Sequence, residues 1–131
     1  MFTHANYLMV NVSDMGRSVA FYRDTLGLPL KFESPGWTEF ATGTTTLALH
    51  LAPCPEAKPA AAAGPQAGSC SFGFSVENID ATWKSLQARG TRFVMPPTLR
   101  EEEGIRLAVF LDPDGMAISL AQTVAHAQPQ R

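Results

Sequence analysis

The stretch Val12-Ser-Asp-Met-Gly-Arg-Ser-Val-Ala-Phe-Tyr-Arg-Asp-Thr-Leu-Gly-Leu28 decides the architecture. It reads as a strand end, a capped helix and a stop. Asp14 stands where an N-cap belongs, because its carboxylate can accept from the orphan N–H groups of a first turn. Met15, Val19, Tyr22 and Leu26 follow at i, i+4, i+7 and i+11, one stripe of a 3.6-residue helix. Gly27 comes after the last apolar position, where a left-handed cap favours a residue without Cβ. Pro29 bars any continuation.

Outward from this helix the period changes to two. Tyr7 to Val12 predicts a strand, with Leu8, Val10 and Val12 alternating against Tyr7, Met9 and Asn11. Leu30 to Glu33 predicts a short strand, Ser34-Pro35-Gly36 a turn, and Trp37 to Thr42 a third strand. Gly43-Thr44 is a hairpin turn. Thr45 to Leu51 is a fourth strand, with Leu47, Leu49 and Leu51 on one face and Ala48 and His50 on the other.

Residues 53–69 hold four prolines, six alanines and two glycines, and read as a linker. The pattern then resumes. Ser71 to Val76 is a strand, with Phe72, Phe74 and Val76 on one face. Asp80 is the expected second N-cap, with Ile79 as its hydrophobic staple. Trp83 and Leu86 form the helix stripe and Gly90 ends it. Arg92 to Met95 is a strand stopped by Pro96-Pro97. Thr98 to Gly104 is a charged loop, Ile105 to Leu111 a strand, Asp112-Pro-Asp-Gly115 a tight turn and Met116 to Gln122 the last strand. The chain turns polar from Thr123, and 125–131 is expected to fray.

Strand, helix and three strands therefore occur twice, with the expected caps Asp14 and Asp80 standing 66 residues apart. The predicted fold is α+β: two paired βαβββ modules at 1–52 and 70–124. Their eight strands would form one mixed sheet curved around a cavity, with the helices on its outer face. The bulky face of each long strand would meet the helix. The smaller, more polar face would line the cavity, the default ligand site.

The 131 residues suit one domain or two small modules sharing a core. A formal net charge of −2 gives no basic footprint for nucleic acid and no polybasic membrane patch. No apolar run approaches the ~20 residues that span a bilayer. The start lacks the charged and apolar regions of a signal peptide, so a cytoplasmic protein is expected. Cys54 and Cys70 have no CxxC spacing and no Cys/His cluster, and in a reducing compartment they read as free thiols.

The motif Val-x-Asp-x-x-x-Ser-x-x-Phe-Tyr-x-x-x-Leu-Gly, matched from Val12 to Gly27, and the Asp112-Pro-Asp-Gly115 turn together resemble the vicinal oxygen chelate superfamily. That group includes glyoxalase I, extradiol dioxygenases, fosfomycin-resistance enzymes and bleomycin-binding proteins. The resemblance covers roughly residues 5–122 and rests on structural motifs, which report the fold and not the reaction. It implies four metal-ligand stations on the concave face. These fall on Tyr7, His50, Ser71 and Ser119, where metal enzymes of the group commonly carry His, Gln or Glu. Only His50 is an ordinary ligand for a divalent ion, and a catalytic metal wants about three. No metal or other cofactor is therefore expected. The resemblance also implies a homodimer.

The candidate ligand-binding residues are Tyr7, Met9, Trp37, His50, Ser71, Phe110 and Ser119. Trp37 suits stacking on a planar ligand, and Phe110 is placed as a pocket wall. The candidate catalytic residues are His50, as a general base, and Glu39. Arg106 reads as a rim charge and Glu101 to Glu103 as a solvated run. The expected function is binding of a small aromatic molecule in the cavity between modules without the standard metal site. The alternatives are a metal-dependent lyase or dioxygenase of the glyoxalase type, and a metal-free enzyme using His50 as base.

Overall fold

A computed structural model of the chain describes residues 1–53 and 67–124. Cys54, most of the Ala/Pro-rich linker and the 125–131 tail lie outside the described residues. The chain divides into two compact units, Met1–Gln66 and Ala67–Arg131. Each holds one βαβββ module. The eight expected strands are present, divided between two four-stranded sheets and not joined in one.

In the first module β1 (Tyr7–Val12) is followed by α1 (Met15–Ala20), which runs on as a π-helical turn over Phe21–Thr25. Next come β2 (Leu30–Glu33), β3 (Trp37–Thr42) and β4 (Thr45–Leu51). The sheet order is β1-β4-β3-β2, with β1 parallel to β4 and the other pairs antiparallel. Asp14 caps α1 as its sequence position implies, accepting from the Arg17 N–H at 3.0 Å. The wider last turn was not legible in the periodicity. There the Leu26 N–H donates to the Phe21 carbonyl at 2.9 Å, five residues back. Tyr22 stays fully buried and packs against Phe40, with ring centroids 6.1 Å apart. Val10, Val12, Val19, Leu47 and Leu49 complete this core on the helix side of the sheet.

The second module runs β5 (Phe72–Ser75), α2 (Ile79–Ala88), β6 (Arg92–Arg100), β7 (Ile105–Leu111) and β8 (Ala117–Thr123). Its order, β5-β8-β7-β6, repeats the first. Two local expectations are corrected. The N-cap of α2 is Asn78, whose side chain accepts from the Ala81 N–H at 3.0 Å. Asp80 lies inside the first turn, where a carboxylate is favoured by the helix dipole without being the cap. The Ile79 N–H, a second orphan donor, goes to the Gln122 side-chain oxygen on β8 at 2.7 Å.

The second correction concerns Pro96-Pro97. The strand continues through them to Arg100, with register shifts between Phe93 and Met95 and between Met95 and Thr98. β6 is an edge strand, so a missing N–H on its outer side breaks no ladder bond, and the irregular register absorbs the rest. The charged segment then closes as a 3₁₀ turn at Glu101–Glu103.

Asp112 explains why its turn has the sequence it has. Its buried carboxylate accepts from the Asp114 and Met116 N–H groups at 2.9 and 2.8 Å. Gly115 takes the left-handed backbone at φ 88° that finishes the turn.

Asp80 forms a two-bond pair with Arg106 on β7, at 2.7 and 3.1 Å. The hydrogen bonds from Arg106, with its charge and that of Lys84, hold the Asp80 carboxyl below its ordinary range, and the Arg106 guanidinium is raised in turn. A depressed carboxyl stabilises the fold above its unfolded-state pKa, and that stabilisation is lost as pH falls through the folded value. Asp80→Asn is therefore expected to lower the thermal midpoint slightly at neutral pH. The difference from wild type should close on acidification through the carboxylate range, and also in high salt, because the pair is solvent-exposed. Differential scanning fluorimetry across pH checks this. No helix among the described residues is long and apolar enough to cross a membrane.

Candidate functional site

Alternation along β1, β3 and β4 gives the first module a second face, turned away from its helix. Strand pairing sorts that face into rows. Asn11, His50 and Trp37 lie side by side across three strands; Met9, Ala48 and Glu39 form the next row, and Tyr7, Thr46 and Ala41 the third. Ala48 sits at the centre and is fully buried although it carries only a methyl group. A small residue there lets larger neighbours lean over it.

They do so as an aromatic cluster. The Trp37 ring meets Tyr7 edge-on at a centroid distance of 6.2 Å and His50 at 6.1 Å. These separations lie within the usual range for edge-to-face pairs. The indole Nε1–H donates to Glu39 Oε2 at 2.8 Å. The other carboxylate oxygen of Glu39 lies 3.8 Å from Lys31 Nζ, which donates to Thr46 Oγ1 at 2.7 Å. A bulge between Leu30 and Phe32 marks the strand from which Lys31 reaches across. Trp37 is thus held by a hydrogen bond along its strand and a ring on either side.

His50 Nδ1 lies 3.0 Å from Asn11 Oδ1, directly across the parallel β1–β4 pair. Glu39 is one row away and is engaged with Trp37 and Lys31, so it is not the partner of His50. Tyr7 at 54% and Met9 at 43% exposure remain open to solvent, and Phe32 on β2 joins them at 53%. An apolar, aromatic face with a few fixed polar atoms is what small-molecule sites are made from.

The second-module candidates divide. Ser119 on β8 is half-buried and lies between Gly73 and Val109. Ser71 is exposed, just before β5. Phe110 is corrected. It is fully buried, pairs with Ile118 and packs on the Phe93 ring with centroids 5.4 Å apart, so it belongs to the core and not to a pocket wall. The strand alternation is as read from sequence, with Arg106 and Phe110 on one side. The Arg106–Asp80 pair identifies that side as the one facing α2. Cys70 is exposed and free.

At the four ligand stations of the resembled group, the described side chains do not make a donor set that fits a metal. Among the described residues no three His, Cys, Asp or Glu side chains come together to hold one. His50 is engaged with Asn11, Glu39 with Trp37, and neutral serines stand at two of the four stations. Sequence reasoning missed Asn11, Lys31 and Thr46 as site residues. Asn11 was placed on the right face, but only the parallel register with β4 brings it to His50.

The chain matches the model of the Glyoxalase/Bleomycin resistance protein/Dioxygenase superfamily over residues 4–120. It is 30% identical over 115 residues to the uncharacterized protein YraH of Bacillus subtilis (strain 168), across 83% of this chain and 90% of that protein. The solved structure of SMU.1112c superposes with a TM-score of 0.83 at 22% identity, covering 92% of this chain and 99% of the other, a likeness of fold alone. TnmS3, an antibiotic binding protein from Streptomyces sp. CB03234, superposes with a TM-score of 0.72 at 28% identity, covering 93% and 97%.

Proposed function

Since the chain belongs to the Glyoxalase/Bleomycin resistance protein/Dioxygenase superfamily, we propose that it is the sequestering kind of member, taking a small planar aromatic molecule without a divalent metal. The observation that carries this reading is the preorganised Trp37. Its indole is fixed by Glu39, Tyr7 and His50 on a face that keeps Tyr7, Met9 and Phe32 exposed. A rigid aromatic platform binds with little ordering cost, because its rotamer is set before the ligand arrives. The likeness to TnmS3, described as an antibiotic binding protein, supports sequestration over turnover. The general-base reading of His50 is weaker, because among the described residues it is an amide, Asn11, and no carboxylate that meets the imidazole.

Titration of the Trp83→Phe protein with 1-naphthol, 8-anilinonaphthalene-1-sulfonate and proflavine tests this, since Trp37 is then the remaining tryptophan. At least one probe is expected to quench its fluorescence saturably. Calorimetry with Trp37→Ala should show about tenfold weaker binding at an unchanged thermal midpoint. Affinity unaffected by Trp37→Ala, or no binding by any probe, would overturn the reading. So would elemental analysis finding one tightly held divalent ion per chain that His50→Ala removes.

A further inference from the structure

We infer that His50 selects the ligand, and that it selects for an aromatic ring bearing a hydrogen-bond donor, an –OH or –NH, over one that only accepts. This deepens the proposed function and rests on it. The Asn11 Oδ1 is a carbonyl oxygen and can only accept, so the imidazole nitrogen 3.0 Å away is the one that donates. With this partner, the neutral form of the imidazole carries its proton on Nδ1. Nε2 is left with a bare lone pair, and among the described residues nothing donates to it.

The rest of the cluster sharpens this preference. The indole Nε1–H is already given to Glu39 Oε2, so Trp37 offers a ligand its ring and no donor. Glu39 is itself an acceptor. The Tyr7 hydroxyl, with no partner among the described residues, can play either part. A ring lying against Trp37 is therefore a neighbour of the His50 imidazole, whose centroid is 6.1 Å from that of the indole, and the atom it meets there is an acceptor. A ligand hydroxyl or amine there completes the bond. An ether oxygen at that position would face a lone pair with a lone pair, and Nε2 would lose its water without replacement.

Asn11 is in this scheme a positioning residue. It touches no ligand and acts by holding the proton on Nδ1, as an orienting partner of a histidine does. Its side chain belongs to β1 and that of His50 to β4, so strand register, and not the ligand, brings the two together.

Matched probes test the inference: 1-naphthol against 1-methoxynaphthalene, both read by calorimetry and by Trp37 quenching in the Trp83→Phe background. The naphthol is expected to bind about tenfold more tightly, and His50→Phe, which keeps a ring in place, should cut that ratio to about twofold or less. Asn11→Ala should also reduce it, and the ¹⁵N shifts of the His50 imidazole should move from a single Nδ1–H tautomer in wild type towards a mixture. That shift is a readout which a merely structural role for Asn11 would leave alone. Equal affinity for the two probes, with quenching intact, would overturn the selection by His50 and leave the aromatic site standing. A wild-type imidazole protonated on Nε2 would overturn it as well. Absence of binding by both probes would overturn the proposed function, and this inference with it.

Discussion

Phe110→Ala is expected to destabilise the protein by about 3–5 kcal/mol and to lower its thermal midpoint by roughly 10–20 °C. The ring is fully buried between Phe93 and Ile118, beneath the strands that pack on α2. Truncation removes most of its apolar surface and leaves a hole that neighbouring β-strands cannot close, because their hydrogen-bond registers fix their spacing. The lost transfer energy and the cavity therefore add. Differential scanning calorimetry measures the change. Phe110→Leu should cost less, since it keeps most of the volume, and should leave the affinity for 1-naphthol unaltered. A pocket-wall phenylalanine would behave the opposite way, with a nearly unchanged midpoint and altered ligand affinity.

Gly73→Ala is the second large effect, about 1–3 kcal/mol and roughly 5–10 °C. Gly73 is paired directly with Ser119 in the parallel β5–β8 ladder. A Cβ on Gly73 would lie 2.7 Å from the Ser119 carbonyl oxygen and 3.2 Å from its carbonyl carbon, with the Ser119 hydroxyl closer still. Contacts under 3.0 Å to backbone cannot be relieved by a rotamer change. Ser119 is also held on its other side by Val109, so relief has to come from β5, which can retreat only by giving up its bonds to β8. The double variant Gly73→Ala with Ser119→Gly should recover only part of the loss, because the carbonyl remains. Full recovery would show that the hydroxyl alone is the obstacle.

Ser119 occupies a position where metal enzymes of the resembled group carry a ligand, and its most definite contact here is with a glycine. Phe110 and Arg106 were correctly placed together on one strand face. Alternation states which residues share a face but not which face is covered, because a strand is equally regular in both directions. The burial of Phe110 and the Arg106–Asp80 pair settle it. The helix cap of the second module slipped by two residues for a related reason. Asn78 and Asp80 are both good capping types, and the choice between them depends on where the chain leaves β5.

The sequence by itself determined the two βαβββ modules, the Asp14 cap, the stop at Gly27, the Asp112 turn and the strand face shared by Tyr7, Trp37, Glu39 and His50. All of these follow from local chemistry: a period of two or 3.6, a side chain that reaches its own backbone, a residue that tolerates a positive φ. Only the tertiary structure decided which atoms on that face meet. That His50 has Asn11 opposite it, and that Ala48 lies buried between Met9 and Glu39, depend on the register among β1, β3 and β4. Register is fixed by the burial of whole strands, and no single residue announces it.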